Sequence, residues 1–162
     1  MSKMLLAALT LAMTLTDSAC RADGSVSGSS PPKSNDLLAQ QANTMKISIR
    51  VENKALTATL TDSATTRDFV SLLPLTLAMR DLFGREKSGD LPRPISEGGA
   101  QVRTYEVGDV IYWSPSAHLA IFYRHDGQSI PSPGIIVIGK IESGVDALNV
   151  PGTVKVTIEP VN

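Results

Sequence analysis

Cysteine, histidine and aromatic residues are scarce in this chain, and neither sign of charge dominates. One cysteine and two histidines are too few for a disulfide framework, a Cys/His zinc site or an iron–sulfur cluster. Fifteen basic residues against sixteen acidic ones leave no field that would attract nucleic acid, and 4% aromatic residues argue against a base-stacking platform. We therefore expect no metal, no cofactor and no nucleic-acid partner.

The motifs of the common catalytic folds are also missing. There is no phosphate-binding loop, no nucleophile elbow and no glycine fingerprint after a strand. Ser63, Ser114 and Ser116 are conceivable nucleophiles, but the sequence places no base to activate them. A hydrolase is therefore not expected. What the chain does have is 42% hydrophobic residues in 162, enough for one aliphatic core and a tail.

The first 22 residues predict an export signal. Lys3 precedes an uncharged apolar stretch from Met4 to Leu15, and Asp17 ends it. The stretch is shorter than the roughly 20 residues that a membrane-spanning helix needs, and it matches the pattern of a secretory signal peptide. We expect a periplasmic or secreted protein.

Cys20 leaves two ways of processing this signal open. It follows two small residues, as the lipidated cysteine of a bacterial lipoprotein would, but Asp17 stands where that motif has an aliphatic residue. Cleavage after Ala22 fits about as well. The membrane is therefore a partner only through a possible lipid anchor. Residues 21–44 contain five serines and Pro31-Pro32, and are predicted to be a flexible tether.

Short strands follow from Met45 onward. Apolar residues occupy every second position in 45–51 and again in 56–60, which predicts two half-buried strands in a hairpin, with Asn53 in the left-handed conformation. Residues 63–73 have helical spacing, with Thr65 and Asp68 as the expected capping pair. A further strand over 75–80 and a long loop over 83–103 come next.

The second half repeats the pattern of strands and turns. Strands are predicted over 110–113, 119–123, 135–141 and 154–158, with a single helical turn over 143–148. The apolar run 135–141 has no alternation, which indicates cover on both faces. Six or seven strands in residues 45–162 predict a barrel or a sandwich.

Several motifs resemble those of the bacterial cyclophilin-like family. They are Asp68-Phe69-Val70-Ser71-Leu72-Leu73-Pro74, Gly84-Arg85-Glu86-Lys87, Gly108-Asp109-Val110-Ile111-Tyr112-Trp113-Ser114-Pro115, and Gly134-Ile135-Ile136-Val137-Ile138-Gly139-Lys140-Ile141. The resemblance covers most of residues 45–148. It implies a mainly β fold, a closed antiparallel cyclophilin-like barrel with one or two short helices.

That resemblance does not carry an activity with it. True cyclophilins isomerise prolyl bonds with an arginine in a phenylalanine- and glycine-rich motif, followed by a glutamine and a histidine, and no stretch of this chain matches. We therefore predict a non-catalytic module that binds a small molecule or peptide. A divergent prolyl isomerase stays the alternative, because another arginine could serve as the donor that isomerisation needs.

Candidate ligand-binding residues flank the turn at 114–116. Tyr112, Trp113 and Tyr123 are clustered aromatics, which either line a pocket or pack in the core. If the turn folds its two strands together, Trp113 and His118 lie at the same end of the barrel. His118 is otherwise an ordinary turn histidine, as we expect of His125.

Glu86 and Lys87 complete the set. They begin the long loop, where they would form an ion pair at the barrel mouth or contact a polar ligand. The alternative is a solvated pair of little consequence. The catalytic residues and the oligomeric state are left open by the sequence.

Overall fold

The computed structural model describes residues 45–161. The predicted signal peptide over 1–22, Cys20 and the tether over 21–44 lie outside the described residues. The strands are β1 (Lys46–Val51), β2 (Lys54–Leu60), β3 (Leu75–Leu82), β4 (Glu86–Asp90), β5 (Gln101–Val102), β6 (Asp109–Trp113), β7 (His118–Phe122), β8 (Ile135–Ile141) and β9 (Thr153–Pro160). Helix α1 spans Ala64–Val70, and two 3-10 helices span Ser114–Ser116 and Val145–Leu148.

Eight of these strands form a closed antiparallel barrel. Their order is β2-β1-β9-β3-β4-β7-β6-β8, and pairing of β2 with β8 closes the ring. A Cβ on Gly139 in β8 would lie 2.7 Å from the Leu60 side chain, so a glycine is needed where the two closing strands meet. The short β5 pairs with Ile135 and Ile136, beyond the point where β2 ends. The predicted fold class is confirmed.

The barrel interior is built by the period-two pattern. Ile47, Ile49 and Val51 of β1 are buried with alternate residues of β2, β3 and β9, and Phe69 from α1 joins them. The hairpin predicted between β1 and β2 is present, with Ile49 opposite Leu56. Both faces of β8 are largely buried, as its continuous apolar run indicates.

The loop predicted over 83–103 is wrong, because β4 and β5 lie within it. The sequence of β4 is Glu-Lys-Ser-Gly-Asp, which offers no apolar alternation to detect. Its first four residues are nevertheless buried on both faces of the barrel wall, and the strand pairs with β3 and β7. The strand count therefore exceeds the six or seven predicted.

Two local predictions also need correction. The N-cap of α1 is Ser63, whose hydroxyl accepts a hydrogen bond from the Thr66 amide at 3.0 Å. Thr65 instead accepts from the Gly99 amide at 2.9 Å, so it holds the 91–100 loop rather than the helix end. In the first hairpin, Glu52 has the left-handed backbone (φ 52°) that we expected of Asn53.

Candidate functional site

A second apolar cluster lies on the outer face of the barrel wall. β4, β6, β7 and β8 turn alternate side chains away from the interior, and these pack against residues from the loops after β5 and β7. The cluster consists of Tyr105, Ile111, Ala120, Phe122, Ile130 and Ile135, with Trp113 and Val137 packed against it. The barrel wall therefore has a hydrophobic layer on each side.

A cavity of about 340 Å³ opens in this outer layer, and we call it the outer cavity. Ala120 lines it, with Ser88 and Ile111 as cross-strand neighbours. It is lined further by Leu82, Phe83, Arg85, Glu86, Trp113, Ser116, His118, Phe122, Ile130, Pro131 and Ile135. The volume lies within the usual range for small-molecule sites, and apolar walls with a few polar groups are their usual composition.

Two charged residues occupy one end of the outer cavity. Arg85 and Glu86 are only 7% and 6% exposed, and Arg85 Nε lies 3.6 Å from Glu86 Oε1, too far for a hydrogen bond. Within residues 45–161 the buried Arg85 Nε has no hydrogen-bond partner. Burial raises the pKa of Glu86 to about 7, against the opposing effect of Arg85. This carboxyl therefore changes charge near neutral pH.

Asp126 and aromatic rings hold the Arg85 guanidinium. Arg85 Nη1 donates to both carboxylate oxygens of Asp126, at 3.1 and 3.3 Å, and the guanidinium carbon lies 5.3 Å from the Tyr105 ring centre. Tyr105 stacks on Phe122 at 3.9 Å and donates its hydroxyl to Asp126. That hydrogen bond is the main reason that the pKa of Asp126 falls to about 2.

His118 lies at the opposite end. It pairs with Trp113 across the β6–β7 ladder, as the sequence predicts from the intervening turn. Its Nε2 lies 2.6 Å from Asp90 Oδ1, and its Nδ1 lies 3.2 Å from Ser116 Oγ. The two contacts fix the plane of the imidazole at the cavity edge. The imidazole nitrogen beside the Ser116 hydroxyl is a base that the sequence alone does not place there.

An exposed phenylalanine forms part of the rim. Phe83 and Gly84 make the β3–β4 turn with φ of 54° and 63°, a conformation that suits Gly84 but strains a phenylalanine. The Phe83 side chain is 75% exposed, and its ring centre lies 5.1 Å from the Arg85 guanidinium carbon. The turn therefore keeps an apolar ring in water next to the cavity.

The structure brings together half of the predicted site residues. Glu86, Trp113 and His118 all line the outer cavity. Tyr112 points into the barrel instead, where its hydroxyl accepts from the Ile95 amide at 3.2 Å.

Lys87 and Tyr123 also lie away from the cavity. Both donate to Asp81 Oδ2, Lys87 Nζ at 3.0 Å and the Tyr123 hydroxyl at 2.6 Å. Glu86 and Lys87 therefore form no ion pair with each other, because adjacent strand residues face opposite sides. Neither is a solvated surface group, since both are buried.

Sequence reasoning missed the residues that shape the charged end. Arg85 and Phe83 fall in the predicted 83–103 loop because the polar β4 has no apolar alternation, and Phe122 is predicted only as part of a strand. His125, expected to be plain loop, stacks on Tyr105 with ring centres 4.8 Å apart. The sequence feature that could have pointed to the charged end is the cluster of Phe83, Arg85 and Glu86, which follows a clear strand.

A second, shallower groove of about 630 Å³ lies nearby. It is lined by Val102, Thr104, Tyr105, Glu106, Val107, Asp109, His125 and Val137. Lys140 Nζ bridges its two carboxylates, at 2.8 Å from Glu106 and 2.9 Å from Asp109. Its two carboxylates thus share a hydrogen-bonded cation, whereas Glu86 of the outer cavity has only the 3.6 Å contact with Arg85.

Residues 45–161 contain neither a cluster suited to a metal ion nor a helix suited to crossing a membrane. No group of three or more His, Cys, Asp or Glu side chains there is arranged to hold a metal ion. None of the helices in this part of the chain is long and apolar enough to cross a membrane.

These features define a class, a closed antiparallel β-barrel with an amphipathic cavity on the outside of its wall. The model of the cyclophilin-like family matches residues 49–159, and the chain belongs to that family. Its fold is similar to the solution structure of the hypothetical protein AF2241 from Archaeoglobus fulgidus, with a TM-score of 0.59 and 23% identity. That match covers 73% of this chain and 95% of the other. No protein with a curated description matches the chain.

Proposed function

We propose that this domain is a binding module whose outer cavity takes a small organic molecule or the side chains of a short peptide. The observation that carries the proposal is the cavity itself. A volume of about 340 Å³ is bounded by apolar side chains, with buried charged groups at one end and an imidazole at the other. Such a distribution of apolar walls and few polar groups both retains and orients a ligand.

Filling the outer cavity tests this function. Ala120→Leu adds three carbons to the cavity wall, and Ala78→Leu makes the same change on an exposed position of β3. In an NMR screen with a library of aromatic fragments, we expect hits whose shifts map to the cavity and whose binding weakens at least tenfold in Ala120→Leu only. Fragments that bind both variants like the wild type would contradict the proposal.

Removing an aromatic wall gives a second measurement. Trp113→Ala deletes a ring that lines the cavity, whereas Lys155→Ala changes an exposed residue of β9. Loss of an aromatic anchor typically costs about 2 kcal/mol of binding, so only Trp113→Ala should weaken the hits strongly. Equal affinities in the two folded variants would place the binding site elsewhere.

Arg85 supports prolyl isomerisation as a second candidate. Isomerisation requires an apolar groove and a donor for the proline nitrogen, and a guanidinium borders this cavity. Turnover of an Ala-Pro peptide, measured by NMR exchange and probed with cyclosporin, would support it if Arg85→Lys abolished the activity in a folded protein. Wild-type protein without turnover would exclude this candidate.

We also propose that the domain acts outside the cytoplasm. The support is the basic start, apolar stretch and small residues of the first 22 positions. Fractionation of cells expressing the full chain should find it in the periplasm or medium. Retention in the membrane fraction that Cys20→Ser relieves would show the lipid-anchored form, and a cytoplasmic product would refute export.

A further inference from the structure

We propose that the outer cavity selects protonated amines that carry an apolar or aromatic body, with Glu86 as their counter-ion. The proposal rests on the proposed binding function and names the chemistry of the ligand. It follows from which charges at the Arg85–Glu86 end are already paired, which of them lacks a hydrogen bond, and which residues line the rest of the cavity.

The charge of Arg85 is already balanced. Its Nη1 contacts both oxygens of Asp126 at 3.1 and 3.3 Å, and Asp126 is further held by Tyr105 and by the Gln128 amide. Glu86 has only the 3.6 Å contact with Arg85 Nε. With Glu86 ionised, one guanidinium faces two carboxylates, so the charged end of the cavity carries one negative charge that has no cation of its own.

Hydrogen bonding favours the same sign of ligand. Arg85 and Glu86 both line the cavity, and their side chains are similarly exposed, at 9% and 8%. Arg85 Nη1 is held by Asp126, whereas the Glu86 carboxylate has no hydrogen bond within the described residues. Glu86 is therefore the group at this end that lacks a hydrogen-bonded counter-ion, and a carboxylate is matched by an N–H donor that brings positive charge.

The remaining walls suit the body of an amphipathic cation. Ile111, Ala120, Trp113 and Phe122 give the cavity an apolar lining, against which hydrocarbon and aromatic groups pack. A neutral hydrocarbon would leave Glu86 buried without a partner, whereas an inorganic cation would leave the apolar walls uncovered. An amine with an apolar body satisfies both.

Protonation gives the proposal a distinctive pH dependence. The charged groups that face Glu86 are Arg85 and Asp126, and His118 lines the opposite end of the same cavity. Burial raises the pKa of Glu86 to about 7, and a bound ammonium favours its ionised form. Affinity for an amine should therefore rise between pH 5.5 and 8.5, and binding should release a proton.

Three probes of similar shape test the charge of the ligand. They are 2-phenylethylamine, 2-phenylethanol and 3-phenylpropanoate, titrated into the folded domain by calorimetry and NMR at pH 8. We expect the amine to bind at least tenfold more tightly than the other two, with shifts at Trp113 and Ala120. Calorimetry in two buffers of different ionisation enthalpy should show proton release near pH 7.

A matched pair of variants tests the role of Glu86. Glu86→Gln keeps the size of the side chain and should weaken the amine about tenfold and flatten its pH profile, since charge-assisted hydrogen bonds exceed neutral ones by roughly that factor. Glu106→Gln alters a carboxylate that pairs with Lys140 in the other groove. This variant should change neither the affinity for the amine nor its pH profile.

The outcomes separate this proposal from the proposed function. Equal or tighter binding of the alcohol or the carboxylate, or an unchanged amine affinity in Glu86→Gln, would overturn the choice of amine while leaving a binding cavity. If none of the three probes binds, the amine proposal also fails. The binding function itself fails if the fragment screen finds no hits that Ala120→Leu weakens, whatever the three probes do.

Discussion

Replacing Lys87 with methionine should be among the most destabilising single changes in the barrel. Lys87 is fully buried, and its ammonium donates to Asp81 Oδ2 and the Gly152 carbonyl, both at 3.0 Å, and to the Val150 carbonyl. Methionine keeps the length of the chain but supplies no donor. The half-buried Asp81 carboxylate and two carbonyls would then lose their shared partner.

The expected loss of unfolding free energy depends on how well water can replace the lysine as a hydrogen-bond donor. Breaking a buried ion pair from one side costs about 3–5 kcal/mol. The Asp81 side chain is 26% exposed and keeps its hydrogen bond from Tyr123, so we expect the lower end, about 3 kcal/mol. With a urea dependence of about 1.5 kcal/mol/M, the unfolding midpoint should fall by about 2 M.

The pH dependence supplies an independent check. Desolvation raises the pKa of Asp81, but hydrogen bonds from Tyr123 and Lys87 outweigh this effect, so the pKa lies below its usual value. A lowered folded-state pKa contributes stability above the unfolded pKa of about 3.9, and this contribution disappears as pH falls through the folded pKa. The stability difference between wild type and Lys87→Met should therefore narrow as pH falls from 5 to 3.

The control for Lys87→Met is the same substitution at Lys155, which is exposed on β9. Lys155→Met should change the free energy of unfolding by less than about 0.5 kcal/mol. Urea unfolding followed by circular dichroism measures both variants. If they unfold alike, the ammonium of Lys87 does not stabilise the barrel and the reasoning above is wrong.

Two further stability predictions concern α1 and the outer cavity. Ser63→Ala removes the N-cap hydrogen bond to Thr66 and should cost about 1 kcal/mol in urea unfolding, and an unchanged midpoint would show that the cap is dispensable. Glu86 has a raised pKa of about 7, so its contribution to stability is full below the unfolded pKa and is lost as pH rises through 7. As pH rises from 5 to 8, the free energy of unfolding of Glu86→Gln should therefore increase relative to that of wild type by on the order of 2 kcal/mol. The same pH dependence of stability in the two proteins would refute this.

The pairing of Trp113 with His118 in the outer cavity could be predicted because its geometry is local. The turn at Ser114–Ser116 joins two recognisable strands, so Trp113 and His118 had to become cross-strand neighbours once the hairpin formed. Arg85 and Asp126 are 41 positions apart, and no pattern along the chain shows that they meet. Tyr112 and Trp113 are adjacent in sequence, yet only the closed barrel decides which of them faces the interior.

The amino-acid sequence by itself determined which strands exist wherever apolar and polar residues alternate, and which face of those strands is buried. Alternation reports burial because every second side chain of a strand faces the same side. The tertiary structure decided the rest, including the polar strand β4, the buried position of Lys87 and the outer cavity. These features depend on which distant segments of the chain cover a surface and so remove water from a charged group. The neighbours of a residue along the chain do not show which segments will cover it.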